Sequence, residues 1–145
     1  ETAKSMELEF DFDAIRPSNT FDAHRLLHLA GIHGLQNTVA ERFFRGYFCE
    51  GQSMASHEDL YRLAVEAGLD AESVRNVLAG DSHATDVRDD EATAKKLGIR
   101  GVPFFVIAER LGVSGAQPPE ILLQVLEEAQ ASIGRDRTQW SNAEE

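Results

Sequence analysis

The sequence predicts an α/β or α+β domain carrying a large helical insertion, and three observations lead there. Residues Glu7–Asp13 alternate strictly between acidic and apolar side chains. Blocks follow with apolar residues at i, i+3, i+4 and i+7, most of them stopped by a glycine. The period then changes at Pro103–Ile107, a continuous β-forming run.

Each element has its own signal. Leu8, Phe10 and Phe12 share one face of a strand over Glu7–Asp13, with acids on the other face and Pro17 closing the unit. Asn19 or Thr20 can cap a first helix ending at Gly31 or Gly34, with Ala23, Leu26, Leu27 and Ala30 as its inner stripe. A second helix is expected from Leu35 to Glu50, burying Ala40, Phe43, Phe44 and Tyr47 and leaving Arg42 and Arg45 wet. Ser56 and Asp59 form a capping-box pattern before Leu60, Leu63, Ala64 and Ala67. Asp70 caps a short helix with Val74, Val77 and Leu78. Ser82 is placed to cap a helix from His83 to Leu97, with Ala84, Val87, Ala94 and Leu97 inward. Gly112–Ser114 suits a return strand of a hairpin. A last helix starts at Pro118–Pro119 and buries Leu122, Val125, Leu126 and Ala129. From Ser132 the chain is polar and expected to fray, with Trp140 able to dock.

The chain has 145 residues, enough for one domain. Its 25 acids against 14 bases give a net charge of −11, the wrong sign for holding phosphates. Nucleic-acid binding is therefore not expected. No run of apolar residues is long enough to span a bilayer, so no membrane partner is expected either. One cysteine excludes an internal disulfide, a two-thiol redox site within these residues and a Cys-rich zinc site. The sequence shows no signal peptide and begins at Glu1 rather than Met, which reads as a fragment or processed product.

Several clusters invite a chemical reading and mostly lose it. His24, His28 and His33 invite a metal reading, the first two sharing a helix face at i, i+4, but Arg-Leu-Leu separates those two and no third ligand is apparent, so no metal is expected. Asp86, Asp89, Asp90 and Glu91 lack the order of a calcium loop and read as a solvated face. Cys49 stands at a helix end, where the negative pole disfavours a thiolate, and reads as a packing residue. Gly112–Gln117 could cradle an anion, although a hairpin turn explains it as well. Pro103 must sit at a strand's first residue or in a special turn, since it has no N–H to give. On these residues alone a trans bond from Val102 is expected, cis forms being about 5–6% of such bonds.

Leu97–Ile107, followed by Gly112–Pro118, resembles the C-terminal half of DsbA-like thioredoxin-fold oxidoreductases of the FrnE type. Ser18–Arg25 is similar to that family's segment after its second strand, and Phe43–Leu69 to its inserted helices. The likeness runs from about Glu7 to Ala129. It implies a thioredoxin-like α/β fold with a large helical insertion and a thiol–disulfide exchange activity. Residues 1–17 would hold the N-terminal strand of the thioredoxin-like part, 18–97 the insertion, 98–131 the C-terminal strand-strand-helix and 132–145 a polar tail. Pro103 would be the family's cis-proline and Val102 would offer its backbone to substrate, with Asn19 and His24 beside the cleft.

The family's strand and Cys-x-x-Cys helix should precede Glu7, and they are not among these residues. The redox pair is therefore expected upstream of Glu1, and the chain alone is expected to be inactive as an oxidoreductase. Without that central strand, both remaining strands would present open edges, which predicts a homodimer, strand exchange or direct pairing of the two remaining parts. The expected partners are protein or peptide thiols and disulfides, with no cofactor; the likeness leans cytoplasmic. Two alternatives stand beside this reading. One is a redox-silent peptide-binding or interaction module. The other is a glutathione-dependent transferase or isomerase of the kappa-class or hydroxychromene-carboxylate type, which Ala116 and Gln117 weaken by standing where that branch places an acid.

Overall fold

The computed structural model describes residues 9–141, and side chains as far as Ser132. The chain divides into two compact units, Glu1–Ala92 and Thr93–Glu145.

The first unit is helical. It contains α1 (Phe21–Ile32), α2 (Gln36–Cys49), α3 (His57–Glu66), α4 (Ala71–Ala79) and most of α5 (Ala84–Lys96). Leu26, Val39, Leu60, Leu63 and Val74 are fully buried at its centre, one or two from each of the first four helices. The capping signals hold at two starts: the Ser56 hydroxyl accepts from the Asp59 N–H at 3.2 Å, and the Asp70 carboxylate from the Ser73 N–H at 2.8 Å. At α1 the cap is displaced by one residue. Thr20 occupies the N-cap position without a side-chain bond, and the Asn19 carboxamide oxygen accepts from the Phe21 N–H at 2.8 Å instead.

Residues 9–13 form no strand, while Glu7 and Leu8 lie outside the described residues. The stretch is irregular and turns at Phe12–Ala14, with the Asp11 N–H donating to the Phe48 carbonyl at 2.8 Å. Alternation only marks a strand where a neighbouring strand completes its ladder. Here Phe10 finds a helix instead: its ring stacks on Phe48 of α2 with centroids 4.9 Å apart, while Phe12 stays exposed. The inner face of α2 is also rotated from the expected stripe. Val39, Phe43 and Gly46 are buried, and Phe44 is 63% exposed. Gly46 decides this, because a Cβ there would lie 2.8 Å from Leu63 Cδ1, so α3 comes against α2 along the glycine. α5 begins at Ala84, so His83 rather than Ser82 stands immediately before it, the Ser82 carbonyl accepts from Arg25 Nε at 2.8 Å, and Leu97 is exposed.

The second unit holds the end of α5, then β1 (Phe104–Ile107), β2 (Leu111–Ser114) and α6 (Pro119–Ser141). The strands form an antiparallel hairpin pairing Phe104 with Ser114, Phe105 with Val113, Val106 with Gly112 and Ile107 with Leu111. α6 lies on both strands, and Val113 of β2 and Ala129 of α6 are buried in this unit. Leu126 is exposed, so the buried stripe is narrower than its apolar spacing suggested. The helix continues through the polar stretch from Ser132 to Ser141; the Trp140 side chain lies outside the described side chains.

Candidate functional site

The Val102–Pro103 turn leads directly into β1. The Gly115 N–H donates to the Pro103 carbonyl at 2.8 Å, which makes those two residues a hydrogen-bonded pair continuing the β1–β2 register. In an antiparallel ladder such pairs alternate with non-bonded ones. Phe105 and Ile107 therefore direct their backbone groups at β2, and Phe104 and Val106 direct theirs at the opposite edge. No described strand covers that edge. Gly112 keeps the hairpin tight: a Cβ on it would meet Phe104 Cζ at 3.0 Å, so glycine gives the ring its place.

Val102 is 91% exposed, and Gly101 and Pro103 beside it are exposed as well. Among the described residues Val102 has no hydrogen-bond partner, so its N–H and C=O are free for an incoming chain. The Val102–Pro103 peptide is cis, where the residues alone favoured trans. Chemically, this is a short ledge of unpaired main chain with apolar side chains around it, suited to an extended polypeptide.

The other expected binding residues belong to the helical unit. Asn19 is exposed, and its side-chain oxygen is taken by the Phe21 N–H. His24 is exposed on the first turn of α1. Its neighbour at i+4 turns elsewhere: His28 Nε2 lies 2.9 Å from Asp90, and the His28 ring stacks on that of His83 at 6.2 Å. Among the described residues no group of three or more His, Cys, Asp or Glu side chains is placed to hold a metal. Cys49 is exposed at the end of α2. In the loop after β2, Gln117 folds back so that Nε2 donates to the Ser114 carbonyl at 2.8 Å.

Arg25 is the residue that sequence reading missed. It is 4% exposed, the one buried charged side chain among the described residues, and its guanidinium serves four partners. It donates to the Asp22 carboxylate at 2.8 Å and to the carbonyls of Gly80, at 2.7 Å, Ser82, at 2.8 Å, and Val77. The fork thus closes the loop between α4 and α5 onto α1. Burial works to raise the Asp22 pKa, but hydrogen bonds from Arg25 and His57 outweigh it and hold the carboxyl below its ordinary 3.8. The available signal was Asp22 three residues before Arg25, a helix-face ion pair. A comparable hub sits on α2: burial tends to lower the Arg42 pKa, and hydrogen bonds to Glu50 and Glu66 raise it overall.

The helical unit and the proline-led hairpin match known proteins. The family model for the DSBA-like thioredoxin domain covers residues 1–127. The crystal structure of a probable DsbA oxidoreductase from Streptomyces coelicolor aligns with a TM-score of 0.84 at 45% sequence identity. That match covers 89% of this chain and 56% of the other, so the chain spans little more than half the length of that relative. None of the curated proteins matches the chain in sequence. A thioredoxin-like hairpin and helix following an inserted set of helices, together with a family match over most of its length, mean that the chain belongs to the DSBA-like thioredoxin domain family.

Proposed function

We propose that the chain is the substrate-presenting part of a protein thiol–disulfide oxidoreductase of the DsbA type, in its FrnE-like, cytoplasmic branch. The observation that carries the reading is the open main chain at Val102, Phe104 and Val106. An extended segment flanking a substrate cysteine pairs with this edge and holds its sulfur in position. In the exchange itself, a thiolate attacks one substrate sulfur, a mixed disulfide forms and the other substrate sulfur leaves as thiolate. A second thiolate then attacks the mixed disulfide, which releases the reduced substrate and leaves the attacking pair oxidised. These 145 residues hold one cysteine, so both sulfurs of such a pair cannot come from them.

That same count favours the second reading, a redox-silent peptide-binding module with the ledge and no exchange of its own. One experiment on the chain separates the two from failure. Amide hydrogen exchange is followed at Val102, Phe104 and Val106 with and without an excess of an extended, cysteine-containing peptide. Protection by about tenfold or more at these amides supports the ledge. Unchanged exchange there, with protection elsewhere or nowhere, removes both readings.

A further inference from the structure

On the helical unit, α2 and the segment before α1 enclose an open groove of about 770 Å³. Its walls are aromatic. Phe10 and Phe48 stack at 4.9 Å, and Phe44 lies 6.3 Å from Phe48. Its rim is acidic, with Glu9, Glu41 and Glu50 against a single base, Arg45. Glu50 is already neutralised, because Arg42 donates to both its oxygens at 2.9 and 3.2 Å and Arg45 Nε lies 3.5 Å away. Glu9 and Glu41 have no ion pair among the described residues.

We infer that this groove binds a cationic, partly apolar peptide segment, one in which an apolar side chain is flanked by arginines. The aromatic floor takes the apolar side chain, ring faces attract guanidinium groups, and Glu9 and Glu41, unpaired among the described residues, fix the charges at the rim. The volume falls within the usual range for ligand sites, about 300–1,000 Å³. Charge selects this occupant over a second copy of the chain. A copy would bring the same acidic rim and a net charge of −11 against itself, and an anionic lipid surface would meet the same repulsion. The inference does not depend on the proposed exchange function, because every residue in it lies in the helical unit.

The test uses the full chain with a fluorescein-labelled peptide GWRLRG and its charge-reversed counterpart GWELEG, read by fluorescence anisotropy. Phe44 is 63% exposed, so Phe44→Ser leaves the fold standing, which a thermal melt verifies. Binding of GWRLRG is expected to weaken about tenfold in Phe44→Ser, several-fold in Glu41→Lys and progressively with added salt. GWELEG is expected not to bind. Three results overturn the inference: no binding of GWRLRG, binding indifferent to both substitutions, or equal binding of the two peptides. Sedimentation showing a dimer that Phe44→Ser dissolves also overturns it and assigns the groove to a second copy.

Discussion

At the residue scale, Arg25 concentrates more of the fold's hydrogen bonding than any other side chain among the described residues. Its loss would orphan the carbonyls of Val77, Gly80 and Ser82 and leave the Asp22 carboxylate to His57 alone. Buried acceptors left without donors cost about 1–3 kcal/mol each, so Arg25→Met should lose about 3–5 kcal/mol in urea unfolding. Lysine has no planar fork to serve four acceptors, and Arg25→Lys should recover only part of that. A loss below about 1 kcal/mol for Arg25→Met would show that water or loop movement satisfies those carbonyls. The paired acid adds a pH signature. The Asp22 carboxyl titrates below its ordinary 3.8 in the folded chain, so its contribution is present above that value and fades as pH falls through the depressed one. The stability gap between wild type and Asp22→Asn should therefore be widest above pH 4 and close on acidification. A gap independent of pH between about 5 and 2 would detach the depressed pKa from folding.

At the element scale, the helices were legible because glycine stops, caps and apolar spacing all agree, as they do at Ser56, Asp70 and Gly68. Side-chain orientation was less so. Phe44 and Leu126 satisfy a helical period yet face outward, since period fixes a stripe only to within a residue or so and the neighbouring helix chooses its centre. Residues 9–13 failed for a different reason: a strand is defined by a partner, and sequence alternation cannot supply one. Of the candidate site, the Val102–Pro103 turn was readable from its position before a β run, whereas Arg25 was hidden by the rule that charges stay outside. Gly46 tests how firmly α2 and α3 are locked. Alanine would gain about 1 kcal/mol of helix propensity, but its Cβ would strike Leu63, which is fully buried and has little room to turn. Overpacking costs about 1–3 kcal/mol, so Gly46→Ala should be destabilising by about 1 kcal/mol net. A raised urea midpoint would mean that Leu63 finds another rotamer.

At the scale of the whole molecule, the second unit leaves apolar surface and main chain uncovered together. Phe105 and Val106 on β1 and Ile121, Leu123 and Leu126 on α6 are all exposed large apolar residues, and the Phe104 and Val106 backbone points away from β2. A four-residue strand with one open side is a template for another strand. The chain on its own should therefore self-associate, two copies meeting along β1 or exchanging a strand, although its charge of −11 opposes the approach. Salt should then promote association by screening that repulsion, the reverse of its effect on the peptide groove. A lysine on the edge blocks strand addition at little cost to an exposed position. In sedimentation velocity, Val106→Lys should shift the chain to monomer while the melting temperature stays within a few degrees. If the wild-type chain sediments as a monomer at high salt and tens of micromolar, the open edge is too short to pair by itself. The hydrogen-exchange protection expected at Val102, Phe104 and Val106 would then have to come from a peptide partner or be absent.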